Sequence, residues 1–373
     1  MVSQGIDIMV AEDFKRLKGK SIGLITNYSF IDGELRWGID LMVESGLRIK
    51  KIFTPEHGLG GIADGESYED SVHSRYKVPV VSLYGNKTKP LTSDLEGLDI
   101  LVYDIQDVGL RYYTFLYTLA YSLEAAAENG LEYMVFDRIN PLGRGVFGCR
   151  IDDSLQSDVG GFALPLQYGL TPGELALYFK KLKRLDLDLH VVHLKGWRGE
   201  RFTDTGLFWN VPSPNIPTFD SLLGYAGTCF FEATNVTEGR GTFKPFLVIG
   251  APWIDGFHLE EKLRSDFPGL NVRRREFMPT SRKYANESCD GVEFFPSKKE
   301  NFFLVVLKMM EYLLEYDEFE MTYRLDHLTG VVNSADMIRA GEVDLFQWRK
   351  SGDEFIEFAG DCLIYPGINF YRE

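Results

Sequence analysis

Glu56 and His57 follow an apolar run and precede a string of glycines, in Lys50-Lys51-Ile52-Phe53-Thr54-Pro55-Glu56-His57-Gly58-Leu59-Gly60-Gly61. A carboxyl group partly withdrawn from water can hold a proton near neutral pH and donate it to a leaving oxygen, which is what glycoside cleavage requires. Pro55 has no N–H and ends the strand just before it. The glycines then let backbone approach a ligand closely. Gly58-Leu59-Gly60-Gly61-Ile62-Ala63 also fits a relaxed dinucleotide fingerprint. Residues 64–70 lack the helical apolar period that the fingerprint needs, so no nicotinamide cofactor is expected.

Three further clusters carry polar chemistry. Asp104, Gln106, Asp107, Arg111 and Tyr113 crowd a strand-to-helix junction. Such a mixture suits polyol recognition, with paired hydrogen bonds to hydroxyls and rings over sugar faces. The local alternative has Asp107 capping the next helix and Arg111 pairing nearby. The two carboxylates have no second ligand set at metal spacing, and no metal is expected. In Asp137-Arg138-Ile139-Asn140-Pro141, Arg138 and Asn140 are candidate binding residues, although Arg138 could equally bridge carboxylates of adjacent strands. The last cluster runs from Phe231 to Phe246. Its Gly239-Arg240-Gly241-Thr242 turn offers a guanidinium fork for a carboxylate or phosphate. Glu232 and Glu238 are candidates for a second catalytic carboxylate, unless Glu238 simply pairs with Arg240.

These clusters need a scaffold that brings them together. Short β-branched runs at 21–27, 50–54, 78–85, 98–107, 132–137 and 188–194 alternate with helical patterns at 38–45, 112–129 and 171–185. The last opens with a Thr171-Pro172-Gly173-Glu174 capping box. Alternation of this kind implies a mostly parallel sheet, whose ligands bind beyond the carboxyl ends of the strands. Asn27, Glu56, His57, Tyr84, Asp104, Gln106, Asp107, Asp137, Arg138 and Asn140 all fall at that edge. Pro79 suggests an edge position for the 78–85 strand. Pro212, Pro214 and Pro217 break the chain, so we expect a Rossmann-like domain over 1–217 and a smaller α+β domain over 218–373. Helices are expected at 260–265 and 302–316, with short strands and turns toward the carboxy terminus.

Bulk properties narrow the function. The 373 residues carry a net charge of -15, which excludes the basic surface a nucleic-acid partner would need. No apolar run approaches a membrane span of about 20 residues. Cys149, Cys229, Cys289 and Cys362 are widely spaced and read as packed thiols. Residues 1–17 hold Asp7, Glu12, Asp13, Lys15 and Arg16 without an apolar secretory core, which points to the cytoplasm. There is no Gly-x-Ser-x-Gly elbow and no Walker loop. His190 and His193, three apart on a strand, face opposite sides and make a poor metal pair. Trp197, Trp209 and Trp253 read as core or interface rings. Of these, Trp209, beside the prolines, is best placed as a platform for a sugar.

Across these motifs the chain resembles the NamZ-like exo-β-N-acetylmuramidase family, bacterial proteins formerly grouped as a domain of unknown function. The matching stretches are Thr26-Asn27, Pro55-Glu56-His57-Gly58, Ser82-Leu83-Tyr84-Gly85, Asp104 to Tyr113, Asp137-Arg138 with Asn140-Pro141, Gly173-Glu174-Leu175-Ala176, Pro212-Ser213-Pro214-Asn215 and Glu238-Gly239-Arg240-Gly241-Thr242 with Pro245-Phe246. The resemblance implies an exo-acting glycosidase that releases terminal N-acetylmuramic acid from the non-reducing end of peptidoglycan fragments. It also implies a Rossmann-like domain, a smaller second domain and an active-site cleft between them. The family's proposed catalytic glutamate falls on Glu56. Ser213, Asn215 and Thr242 join the residues expected to bind a muropeptide or a short muramic acid–glucosamine fragment. Ile139 stands where the family has proline and Tyr168 where it has histidine, and 157–160 is altered. Many relatives carry a secretion signal, so its absence here suggests recycling of imported muropeptides. Muramic acid bears a lactyl carboxylate, for which Arg240, Arg111 or Arg144 is the expected partner. A non-catalytic muropeptide-binding protein and a phosphosugar-processing enzyme are the competing readings.

Overall fold

A computed structural model describes residues 2–61, 69–157, 159–297, 301–342, 345–367 and 369–370. The Ile62 and Ala63 end of the fingerprint and the altered Asp158 lie outside the described residues. The chain forms two compact units. Unit 1 comprises Met1–Val146, Tyr168–Pro214 and Ile356–Asn369. Unit 2 comprises Phe147–Gln167, Asn215–Phe355 and Phe370–Glu373.

Unit 1 is built on a seven-stranded sheet. Its strands are β1 (Ser21–Thr26), β2 (Arg48–Thr54), β3 (Ser71–Val72), β4 (Pro79–Ser82), β5 (Ile100–Asp104), β6 (Glu132–Phe136) and, after the two-residue β7 (Gly145–Val146) outside this sheet, β8 (Leu189–Val192). The order is β3-β4-β2-β1-β5-β6-β8, parallel throughout except for β3 against β4. Every side chain of β1 is buried, as expected of a central parallel strand with both faces covered. The chain starts at β1, builds outward through β2 and β4, then crosses to β5 on the other side of β1. That reversal is where open α/β sheets leave a crevice. Pro79 does not mark the edge, because β3 covers β4. Proline is tolerated there as the first residue of the strand, opposite Val72.

Helix α1 (Gly5–Ala11) and α2 (Gly38–Glu44) contribute Ile6, Met9, Ile39 and Met42 to a core shared with Ile22, Leu24, Ile52 and Val102. After the one-turn α3 (Thr92–Leu95), α4 (Phe115–Glu128) packs against β5 and β6. It buries Phe115, Leu116, Leu119 and Leu123, each contributing about 1.5–3 kcal/mol. Gly130, at φ 63, follows its C-terminal cap. It starts three residues later than the expected 112, because 110–113 form a turn closed by the Tyr113 amide on the Leu110 carbonyl. In α5 (Pro172–Lys183) the capping box is realised: the Glu174 amide donates to Thr171 Oγ1 at 3.2 Å and the Thr171 amide to Glu174 Oε2 at 3.0 Å.

Unit 2 centres on a three-stranded antiparallel sheet in which β11 (Cys289–Phe294) lies between β9 (Val248–Ala251) and β10 (Val272–Phe277). Helix α7 (Gly256–Asp266) packs on it, α8 (Phe302–Leu313) packs on α7, and α6 (Phe219–Thr228) packs on α8. The carboxy-terminal region extends the sequence reading. The described residues end in bends and the short strand Asn369–Phe370, but before them lie helices at Arg324–Thr329, Ser334–Ala340 and Leu345–Ala359. The first two end on Gly330 and Gly341 at positive φ, so glycines that read as turns are helix stops. Among the described residues no helix is long and apolar enough to cross a membrane.

Candidate active site

The polar edge of unit 1 begins at Glu56. It follows β2 after Pro55 and is half-buried. The Thr114 hydroxyl donates to Glu56 Oε2 at 2.6 Å, and no other hydrogen bond to Glu56 is made among the described residues. Thr114 is the N-cap of α4 yet bonds none of its own helix's amides, because its hydroxyl is turned to Glu56. The sequence carried a signal for this, a threonine directly before an alanine-rich helix, that was not assigned a role. His57 sits in the left-handed region at φ 71, a conformation costing about 1–3 kcal/mol away from glycine. Its Nε2 lies 3.1 Å from the Ser213 hydroxyl, and its ring meets the edge of Phe115. Tyr113 donates to the Pro212 carbonyl at 2.6 Å, so the proline segment is tied to this loop twice.

The remaining candidates of unit 1 are largely enclosed. Asn27 is fully buried and accepts from the Ser29 amide and hydroxyl, while its Nδ2 has no partner among the described residues. Arg138 pairs with Asp104 through Nε and donates to the Ile31 carbonyl at 3.0 Å, both side chains being fully buried. This realises the bridge between adjacent strands. Burial outweighs the Arg138 guanidinium and pushes the Asp104 carboxyl up to about 7. Asp107 does not cap a helix. It accepts from the Val108 and Gly109 amides and from the Tyr168 hydroxyl, and burial lifts it to about 6. Gly109, at φ 80, has no room for a Cβ, which would fall 2.4 Å from Asn140 Oδ1. Gln106 donates to the Asp107 and Ile139 carbonyls, and Asn140 joins the Leu170 carbonyl to the Leu142 amide. Arg111 is fully buried. Arg144 is committed to Glu174 and to the carbonyls of Gly169, Tyr365 and Pro366.

A cavity of about 850 Å³ lies beside the Glu56 loop, bordered by Thr54 and Gly58. Tyr28, Trp37 and Ser82 line it, and among the described residues the Tyr28 hydroxyl, the Trp37 Nε1 and the Ser82 hydroxyl have no hydrogen-bond partner. Its size is that of a pocket for a small saccharide, and rings with uncommitted polar atoms suit hydroxyl-rich ligands. None of these three was singled out as a binding residue, because only folding brings the ends of β1 and β4 beside α2.

In unit 2 the second cluster closes on itself. Phe246 donates its amide to the Glu238 carbonyl and Thr237 pairs with Gly250, folding 237–246 back on β9. Glu238 is fully buried. Arg240 Nε donates to its Oε1 at 2.6 Å and Lys283 Nζ to its Oε2 at 3.2 Å. Burial raises the Glu238 carboxyl, but Arg240 and Lys283 together prevail and hold it below its ordinary value. Glu232 lies 3.5 Å from Arg240 and 3.7 Å from Arg324, and there burial wins and the carboxyl is raised. Thr242 closes the turn by donating to the Gly239 carbonyl at 2.6 Å. Asn215 is half-buried. Lys283 was missed, since 45 residues separate it from Glu238.

Glu132, Asp188 and His190 bring ligand atoms within 4.8 Å of one another, but Lys20 already pairs with Glu132 on this open surface.

With that geometry in hand, family profiles for the exo-β-N-acetylmuramidase NamZ match nearly the whole chain: the N-terminal profile covers residues 22–220 and the C-terminal profile 223–365. The chain belongs to the NamZ family of exo-β-N-acetylmuramidases. The peptidoglycan β-N-acetylmuramidase NamZ of Bacillus subtilis (strain 168) is 42% identical over 340 residues, covering 88% of this chain and 82% of that protein. Two crystal structures of DUF1343 family proteins from Bacteroides fragilis NCTC 9343 superpose with TM-scores of 0.88 and 0.81, at 30% and 28% identity. Each comparison covers 98% of this chain and 99% of the other. The NamZ family thus supplies both the α/β architecture and the two-part organisation of its profiles.

Proposed function

We propose that this chain is an exo-acting β-N-acetylmuramidase that releases terminal N-acetylmuramic acid from the non-reducing end of peptidoglycan fragments, with Glu56 as its general acid. The observation that carries the assignment is the half-buried Glu56 carboxyl, anchored at Oε2 by Thr114 and left with Oε1 for a substrate. In the acid form Oε1 carries the proton and gives it to the glycosidic oxygen as the bond breaks. The oxocarbenium-like centre then needs a carboxylate that stays ionised. Glu238, kept charged by Arg240 and Lys283, suits that role best, ahead of Glu232 and Asp107, whose carboxyls burial raises. Arg240 remains our choice for the lactyl carboxylate, because its side chain keeps some exposure beside its partners Glu238 and Glu232, whereas Arg144 is buried against protein groups.

Glu56→Gln tests the reading. Hydrolysis of a chromogenic muramide should fall about 10²- to 10⁴-fold. Activity within a few-fold of wild type removes Glu56 as the acid. A muropeptide-binding protein without turnover would instead bind the same compound and leave it intact in the wild type. Arg240→Ala should weaken binding of a muramide about tenfold more than that of the matching glucosaminide, and equal losses would end the lactyl assignment. We further assign the protein to muropeptide recycling in the cytoplasm. Four buried cysteine thiols support this, and recovery of the native protein from the culture medium would contradict it.

A further inference from the structure

A second, smaller cavity of about 210 Å³ lies within unit 1, and it is lined in part by the candidates Gln106, Arg138 and Trp209. Its walls are mostly apolar, with Leu35, Ile139, Leu207 and Trp209 among them. Gln4 also lines it. That residue is more than nine-tenths buried, yet its Oε1 has no hydrogen-bond partner among the described residues. A buried amide oxygen without a partner costs about 1–3 kcal/mol, so its persistence beside a cavity points to a ligand that completes it. The terminal torsion of glutamine is soft, and either the carbonyl or the amide nitrogen can face the cavity.

The volume decides how much of a ligand enters. Pockets that enclose a whole small molecule measure about 300–1,000 Å³. This one holds a side arm, between mostly apolar walls to which Asp32, Gln106, Arg138 and Asn210 add polar groups beside Gln4. Ile31 lines both this cavity and the larger one beside the Glu56 loop, so the two lie side by side. The 209–213 segment gives the same proximity. Trp209 and Asn210 line the small cavity, while Ser213 reaches His57 at 3.1 Å, and three residues span at most about 10 Å.

We propose that this cavity is a subsite for a short amide-bearing aliphatic arm of the muramic substrate, with Gln4 hydrogen-bonded to the amide and Trp209 and Leu207 against its methyl groups. The proposal rests on the muramidase reading. Two arms share that chemistry, the 2-acetamido group and a lactyl group amidated by the first residue of a stem peptide. Trp209 thereby acts as a wall for the arm, and the pocket sets how much of the stem the enzyme accepts.

The test uses the full chain and three chromogenic muramides: the 2-acetamido compound with a free lactyl group, its lactyl-alanine amide, and the 2-amino analogue. Gln4→Leu, which removes both hydrogen-bonding atoms at similar size, should raise KM five- to tenfold for substrates carrying the recognised amide, with kcat within twofold. The penalty should vanish on whichever analogue lacks that amide, and this identifies the arm. Leu207→Trp, which fills the cavity, should raise KM for the same substrates at least tenfold, and it carries the test if Gln4→Leu does not fold. Wild-type KM for both variants, or equal losses on all three compounds, overturns the subsite while leaving the activity standing. If the wild type cleaves no muramide, the muramidase reading itself has failed. Calorimetry with N-acetylmuramic acid and its alanine amide then judges the subsite alone, and affinities unchanged by Leu207→Trp reject it.

Discussion

The strand ends of unit 1 and the 232–246 loop of unit 2 both bury carboxyl groups, yet treat them in opposite ways. Asp104, Asp107 and Asp137 are pushed up to about 7, 6 and 7, because burial dominates. Asp107 and Asp137 are held by hydroxyls and amides, and Asp104 by one buried arginine. Glu238 is just as buried but lies below its ordinary value. The difference is two cations. A unit charge at about 4 Å contributes ~4 kcal/mol at an effective dielectric of about 20. Arg240 and Lys283 sit 2.6 and 3.2 Å from the two Glu238 oxygens and together outweigh burial, whereas Glu232, at 3.5 and 3.7 Å from Arg240 and Arg324, stays raised. The strand ends therefore favour protonated carboxyls, while the Glu238 position fixes a negative charge.

The contrast breaks most visibly at Glu238. Glu238→Gln leaves Arg240 and Lys283 without their shared anion, which should lower stability at pH 7 by about 3–5 kcal/mol in urea unfolding. A loss below about 1 kcal/mol would show that the two cations do not hold this carboxylate. Because the folded value of Glu238 is depressed, its contribution is present above the unfolded value and disappears as acid protonates it. Asp107 behaves in the reverse sense. Its folded value is raised, so its contribution is full below the unfolded value near 4 and is lost as pH rises through about 6. Between those limits Asp107→Asn should lose about 3 kcal/mol less stability than the wild type. A wild-type slope retained in the variant would assign the effect to Asp104 and Asp137 alone. The smallest effect concerns Thr114. Thr114→Val removes the donor to Glu56 and should lower kcat about five- to tenfold without changing KM, whereas Thr114→Ser should restore it. A wild-type rate in the valine variant would separate this contact from catalysis.

Much of unit 1 was legible because its signals are local. The apolar run Ser21-Ile22-Gly23-Leu24-Ile25-Thr26 can only be a buried strand at that length, and Thr171 with Glu174 announces a helix start within four residues. Strand–helix alternation then makes the sheet parallel, and parallel sheets deliver the residues after each strand to one edge. That is why Asn27, Glu56, Asp104 and Asp137 could be grouped before any coordinates existed. The helices at Arg324–Thr329 and Ser334–Ala340 were missed because each is short and its glycine stop carries the same local signal as a turn.

What sequence could not reveal is which neighbours each polar group finds. Thr114 meets Glu56 across 58 positions, Lys283 meets Glu238 across 45, and Tyr168 meets Asp107 across 61. Charge and hydrogen bonding act through space over a few ångströms, and the chain path between such partners leaves no periodic trace. The amino-acid order determined the strands, the polar edge and the glutamate on it. Only the tertiary packing decided which carboxyls keep their protons, which stay ionised, and which cavities stand open beside them.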